Sequence, residues 1–210
     1  LKRHTYKKNG YTINKKTNKR ILGVIIVHAF GNCVNLKKKY LKIFKKYNIK
    51  IIEDAAESLA SYHCENKNLK HTGIIGDIGC LSFNGNKVIT SGGGGMVITN
   101  NKKYYQKIKY LSLQAKDDAI NFIHNEIGFN LRMSNIHAAL GLAQIMNLKK
   151  VLTKRKKIYK FYKKYLSSIP GVDLTNENTG SISNYWLNTI KIDKKKYGKT
   201  KDQLIKHFLK

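Results

Sequence analysis

Apolar residues in this chain fall into short unbroken runs, separated by longer stretches in which they recur every three or four positions. The first twenty residues follow neither pattern. They are polar and basic, and a loop or an edge hairpin is expected there. Val24-Ile25-Ile26-Val27 is the first continuous run, of the kind found in strands buried on both faces. Asn35 is placed to cap the helix that follows, where Leu36, Tyr40, Phe44 and Tyr47 recur at helical spacing. Lysines 37–39, 42, 45 and 46 cover the other side of that helix, as a solvated face. A second short run at 49–52 stops at Glu53-Asp54. Strand, helix, strand at this spacing is a βαβ unit and predicts a parallel sheet.

Residues 80–83 and 96–99 read as two further strands, and helical patterns dominate from Lys102 onward, notably at 135–148 and 151–166. Pro170-Gly171, with the only proline, marks a break. Beyond it, 185–192 reads as a strand and 201–209 as the start of an amphipathic helix. The organisation expected is an α/β domain with a mostly parallel sheet over 1–168, then the beginning of a smaller C-terminal domain over 169–210.

Composition narrows the class. Hydrophobic residues make up 41% of 210, which is globular rather than disordered. No apolar run reaches the length of a bilayer span, so no membrane partner and a cytoplasmic location are expected. Cys33, Cys64 and Cys80 are scattered without a C-x-x-C spacing, which argues for reduced thiols and against a structural zinc or other metal site. The net charge of +29 raises nucleic-acid binding, yet only Arg3, Arg20, Arg132 and Arg155 are arginine. Specific base reading and bidentate phosphate contacts favour arginine, so a lysine-dominated excess reads as solvated surface, with no specific nucleic-acid partner.

The candidate chemistry lies between Glu53 and Gly95. Asp54 sits just past a buried strand, where open α/β sheets place ligands, although an aspartate there can also simply cap the Ala-Ala turn. Cys80-Leu-Ser-Phe-Asn-Gly-Asn-Lys87 is a strand running into a turn that ends in lysine, and four glycines, 92–95, precede the next strand. The Walker pattern is absent, because Gly85 and Lys87 are separated by Asn86 and Val88 follows; no G-x-G-x-x-G opens a helix either. Pyridoxal-phosphate (PLP) chemistry accounts for the set. It needs a lysine to hold the aldehyde as an imine, a carboxylate to keep the ring nitrogen protonated, and hydroxyl and N–H groups for the phosphate. Lys87, Asp54, Ser82 and the glycine-rich backbone have those properties.

Three longer stretches resemble a known family: Glu53-Asp-Ala-Ala-Glu-Ser-Leu59, the segment from Gly76 to Gly95, and Gly128-Phe-Asn-Leu-Arg-Met-Ser-Asn-Ile-His-Ala-Ala-Leu-Gly141. They are similar to the DegT/DnrJ/StrS sugar aminotransferases, which are PLP enzymes of fold type I (aspartate aminotransferase-like) and work as homodimers. The resemblance implies that Asp54 pairs with the pyridinium nitrogen and that Glu57 lies near the cofactor's 3′ oxygen. It also implies that Ser82 binds the phosphate, that Lys87 is the catalytic Schiff-base lysine, and that Asn130 reaches the phosphate of the partner subunit. Phe129 and Leu131 depart from tyrosines common in that stretch.

Leu113-Gln-Ala-Lys-Asp-Asp118, continuing to Ile123-His-Asn-Glu126, resembles the legionaminic-acid and bacillosamine branch. That branch implies a UDP-linked 4-keto-6-deoxy sugar substrate, glutamate as amino donor, and a place in surface-polysaccharide or glycan biosynthesis. His124 in that segment reads equally well as a structural hydrogen-bonding residue. Family members extend beyond both ends of the chain, with a phosphate loop and a ring-stacking aromatic upstream. This stretch is therefore expected to be a piece of the enzyme, weak or inactive alone.

Overall fold

The apolar runs pair into one sheet because each is too short and too hydrophobic to stand alone. In the computed structural model, which describes residues 1–65, 68–118 and 120–209, the chain opens with β1 (Thr5–Lys8) and β2 (Tyr11–Asn14), an antiparallel hairpin. There follow β3 (Gly23–Val27), α1 (Lys38–Lys46), β4 (Lys50–Asp54), β5 (Tyr62–Glu65), β6 (Asn68–His71), β7 (Ile78–Ser82) and β8 (Gly95–Ile98). The second half holds α2 (Lys102–Ser112), the short strands β9 (Lys116–Asp118) and β10 (Ile123–His124), α3 (Asn135–Met146) and α4 (Leu148–Leu166). It closes with β11 (Val172–Leu174), β12 (Ser181–Ile182), β13 (Ile190–Ile192), α5 (Lys194–Tyr197) and α6 (Lys201–Phe208). Lys210, the last residue of the expected C-terminal domain, lies outside the described residues. No helix among the described residues is long and apolar enough to cross a membrane.

The central sheet has the order β3-β4-β7-β8. Its first two pairings are parallel and the last antiparallel, so the βαβ unit and the mostly parallel sheet are as the pattern predicts. Ile26, Leu36 and Ile51 form a buried cluster on one face, with Val24, Leu41, Phe44 and Ile75 packed against it. A second cluster, Ala55, Leu81, Phe83 and Ile89, extends the same face toward Met133 and Leu148.

Four details differ from the sequence expectation. Strand β3 is covered on one side only: Ile26 is buried, whereas Ile25 is 67% exposed and Val27 is exposed too, because α1 packs on the Ile26 side. Asn35 does not cap α1. The helix starts later, with Lys37 at the cap position and no side-chain cap, since Leu36 is drawn into the core ahead of it. Residues 185–189 are not strand. Tyr185 has a left-handed φ of 52°, which a continuous strand does not accommodate, and only Ile190–Ile192 pairs, with β11. The chain after Pro170 also returns to the first half, where β12 pairs with β5.

One buried carboxylate ties these parts together. Glu53 is fully buried; its Oε2 accepts from His28 Nε2 (2.9 Å) and the Gly73 N–H (2.9 Å). Its Oε1 accepts from the N–H groups of Ile75 (2.7 Å) and Gly76 (2.6 Å). The Val34 N–H donates to His28 Nδ1 (3.0 Å), which leaves Nε2 as the proton-bearing nitrogen facing Glu53. Burial pushes the Glu53 carboxyl up, but the hydrogen bonds from His28, Gly76 and Gly73 outweigh it, and the net position is below the ordinary 4.5.

Glu53→Gln replaces an acceptor by a donor facing N–H groups. It should lower the free energy of unfolding by about 2–4 kcal/mol, measured by urea titration. A carboxyl depressed in the folded state contributes stability that is complete above its unfolded value and lost as pH falls through the folded one. The difference between wild type and Glu53→Gln should therefore shrink on acidification below about pH 4.

Candidate active site

Alternation along β4 sends its two acidic residues to opposite faces. Glu53 enters the closed face. Asp54 is left on the other, beside its register partner Cys80 and on the same side as Ser82 at the end of β7. Asp54 Oδ1 accepts the Ala56 N–H (3.1 Å), so the capping role is real, and it occupies one oxygen. Among the described residues Oδ2 has no hydrogen-bond partner. Burial, and then the Asp54 charge, push the Cys80 thiol above its ordinary value, which keeps it protonated and unreactive at neutral pH.

Past Ser82 the chain turns. The Lys87 N–H donates to Asn84 O (3.1 Å), and the next two residues, Val88 and Ile89, are buried and hold the turn against the core. The Lys87 side chain is only 15% exposed, with Nζ 3.7 Å from Glu57 Oε1 and 4.3 Å from the centroid of the Trp186 ring. The second Glu57 oxygen, Oε2, accepts the Phe30 N–H (2.7 Å). Ser82 Oγ accepts the Asn84 N–H at 3.4 Å, a long contact that leaves its own proton available.

Three segments distant in sequence are sewn together beneath Lys87. Ser61 Oγ donates to Gly31 O (2.7 Å) and accepts the Asn184 N–H (3.0 Å). Asn184 Nδ2 donates to Glu57 O and Leu59 O (2.9 Å each), and its Oδ1 accepts the Trp186 N–H (2.9 Å). Gly31 has φ +86°, and a Cβ there would overlap Asn184 Oδ1, so only glycine fits the crossing. Phe30 and Tyr185, on either side of this knot, both hold left-handed backbone (φ 56° and 52°), an uncommon conformation for aromatic residues.

Of the five expected site residues, Lys87 and Glu57 are in contact, and Asp54 and Ser82 share the open face at the ends of adjacent strands. Asn130 lies elsewhere. It bridges to Leu113 and lines a surface cleft of about 770 Å³ with Tyr105, Lys109, Tyr110, Lys116 and Arg132. None of Asp54, Glu57, Ser82 or Lys87 lines that cleft. His124 Nδ1 pairs with Gln114 O (2.8 Å), the structural role that its sequence left open.

Sequence reasoning missed His28, Phe30, Asn184 and Trp186. The available signal was composition: Trp186 is the only tryptophan, and His28 follows directly on a strand end. His28, Glu53 and His63 offer nitrogen and oxygen atoms within 4.8 Å of one another, as a metal site would. Hydrogen bonding argues otherwise. Glu53 already accepts four bonds, and a metal on His28 Nε2 would displace the ring's remaining proton while Nδ1 accepts from Val34. The PLP fit is better: a carboxylate with a free oxygen, a largely shielded amine, a hydroxyl, and a glycine turn in which a Cβ at Gly93 would meet nothing within 4 Å.

The model of the DegT/DnrJ/EryC1/StrS aminotransferase family matches residues 1–210. The chain is 38% identical to the putative pyridoxal phosphate-dependent aminotransferase EpsN of Bacillus subtilis, over 81% of this chain and 42% of that protein. It is 31% identical to the GDP-perosamine synthase of Vibrio cholerae, over 86% of this chain and 48% of that protein. It also matches, at 31% identity over 74% of this chain and 40% of that protein, a UDP-4-amino-4,6-dideoxy-N-acetyl-beta-L-altrosamine transaminase of Campylobacter jejuni. The chain thus spans a little under half the length of these relatives. Among solved structures, Helicobacter pylori PseC, an aminotransferase of pseudaminic-acid biosynthesis, superposes with TM-score 0.74 at 26% identity, covering 83% of this chain and 46% of that one. DesI with its TDP-sugar product gives TM-score 0.80 at 22% identity, covering 90% and 47%, a likeness of fold.

Asn184→Ala removes three side-chain hydrogen bonds from the knot beneath Lys87. It should cost about 2–4 kcal/mol of stability and open the 183–186 segment to solvent. Because Trp186 is the sole tryptophan and is buried, the opening should appear as a red-shifted emission with easier acrylamide quenching.

Proposed function

The chain belongs to the DegT/DnrJ/EryC1/StrS aminotransferase family, and on that premise we propose that it forms a large part of a PLP-dependent enzyme that aminates a nucleotide-linked keto-sugar. The observation that carries this reading is the largely shielded Lys87 amine beside Glu57, at the end of the sheet where Asp54 and Ser82 also lie. When bound, PLP supplies an electron sink for the carbon that loses or gains the amino group. Every other task falls to the chain. Lys87 Nζ is the covalent attachment point and, when free, the base that carries the proton. The Asp54 carboxylate, through its free oxygen, keeps a positive charge on the ring nitrogen favourable. Glu57 would lie near the ring oxygen. The Ser82 hydroxyl and the N–H groups of the glycine turn receive the phosphate.

Asn130 would serve the same phosphate from a second copy, which calls for a homodimer. Its position outside the Lys87 site supports that role, as does the exposure of Ile127 and Leu131 near it in sequence and of Ile136 and Met146 along α3. The substrate proposed is a UDP-linked 4-keto-6-deoxy-N-acetyl sugar, with glutamate as donor, used in the cytoplasm for surface-glycan synthesis. The UDP-linked N-acetyl amino sugar of the Campylobacter relative's activity supports that substrate class. Residues 169–210 are read as the beginning of the smaller domain.

Two outcomes test this function. Lys87→Ala should abolish the borohydride-fixable PLP linkage and leave the circular dichroism spectrum unchanged; peptide mapping of the wild-type adduct should place the label on Lys87, and label on another lysine would sink the assignment. In the whole enzyme, Asp54→Asn should slow single-turnover amino transfer to the keto-sugar by about a hundredfold or more, with little change in the urea midpoint. Near-wild-type rates would reduce Asp54 to a cap for the Ala55-Ala56 turn.

A further inference from the structure

Trp186 belongs to none of the motifs that mark the site, yet it touches the reactive lysine in two ways. Its indole Nε1–H donates to Asn86 O at 2.7 Å, the carbonyl immediately before Lys87. Its ring face lies under Lys87 Nζ, 4.3 Å from the centroid, within the range of a cation–π contact. The indole is itself held firmly. The Trp186 backbone N–H donates to Asn184 Oδ1 (2.9 Å), its backbone carbonyl accepts from Arg155 Nη1 (2.7 Å), and the Phe30 ring stacks against the indole with centroids 6.4 Å apart and planes 26° from parallel.

We propose that Trp186 is a positioning residue for Lys87, fixing the turn that carries it through the Asn86 carbonyl and holding its amine on the indole face. A lysine side chain is a flexible four-carbon stem, and an amine free to sample many rotamers meets an incoming aldehyde less often in a productive orientation. Glu57 gives the amine its charge partner, and Trp186 gives it a surface and a direction. Carboxylate alone would leave the stem free to swing, because a single ion pair at 3.7 Å fixes one distance and not the path of the chain. The left-handed Tyr185 is the local device that turns the Trp186 ring inward from a segment whose apolar pattern reads as strand. This inference rests on Lys87 being the amine that takes the cofactor.

The test uses PLP itself, this chain, and the variants Trp186→Phe and Trp186→Leu. Attachment joins the amine nitrogen to the aldehyde carbon and releases the aldehyde oxygen as water; borohydride then adds hydride to that carbon and fixes the label. The readout is the rate at which label reaches Lys87, normalised to label on exposed lysines of the same sample, so a general loss of folding does not imitate the effect. Trp186→Leu, which removes ring face and donor, should slow Lys87 labelling about tenfold. Trp186→Phe keeps the face, loses the donor, and should fall between. Should the leucine variant lose its native circular dichroism, the phenylalanine variant decides, with a slowing of about threefold expected. Wild-type rates in the folded variants would overturn the positioning role and leave Lys87 as the attachment point. Wild-type label on another lysine, or on none, would overturn the function beneath it.

Discussion

The buried Glu53 carboxylate is the constraint on which the rest of the site depends. A charge removed from water at the centre of a sheet is tolerable only if every lone pair is used. Here those pairs recruit His28 from the end of β3 and three consecutive-region N–H groups from the 73–76 turn before β7. Satisfying one carboxylate therefore ties the carboxyl ends of β3 and β4 to the turn that leads into β7. Because side chains alternate along a strand, it also sets where Asp54 goes: onto the opposite face, clear of the hydrogen bonds that hold Glu53. Two adjacent acids thus part: Glu53 holds the scaffold, and Asp54 is left on the open face beside Cys80.

Around this frame the site is closed from a direction that the sheet does not supply. The 183–186 segment arrives from far along the chain and is fastened by Asn184, a side chain with four hydrogen-bonding positions, three of them used here. The backbone conformations at Phe30 and Tyr185 are costly for aromatic residues, and the knot of hydrogen bonds between them offsets that cost. The result is an amine bounded by a carboxylate on one side and an indole on another, at the edge of an open face.

The parallel sheet, the βαβ unit, the helices and the lysine-bearing turn were legible because each rests on a local pattern: a run of β-branched residues, a helical spacing, a glycine. What escaped was non-local. Nothing near Asn35 reveals that Leu36 will be drawn into the core and that the helix must start later. Periodicity reports that 24–27 is apolar and not which of its faces finds a partner. The apolar stretch at 185–192 reads as strand because Tyr, Trp, Leu and Ile favour strands, while tertiary contacts turn its first residues into a wall beside Lys87. His28 and Glu53 are 25 residues apart, and only the register of two strands brings them together.

The claim at the centre is that these residues form the PLP side of a sugar aminotransferase site. Titrating the purified chain with PLP while recording its visible absorption examines that claim most directly. A saturable, stoichiometric band in the violet, lost on acidic or hydroxylamine treatment, is the expected result, since a single shielded amine beside the Glu57 carboxylate should bind the cofactor ahead of the many exposed lysines. Absorption that grows without saturation, as for random adducts on surface lysines, would contradict it.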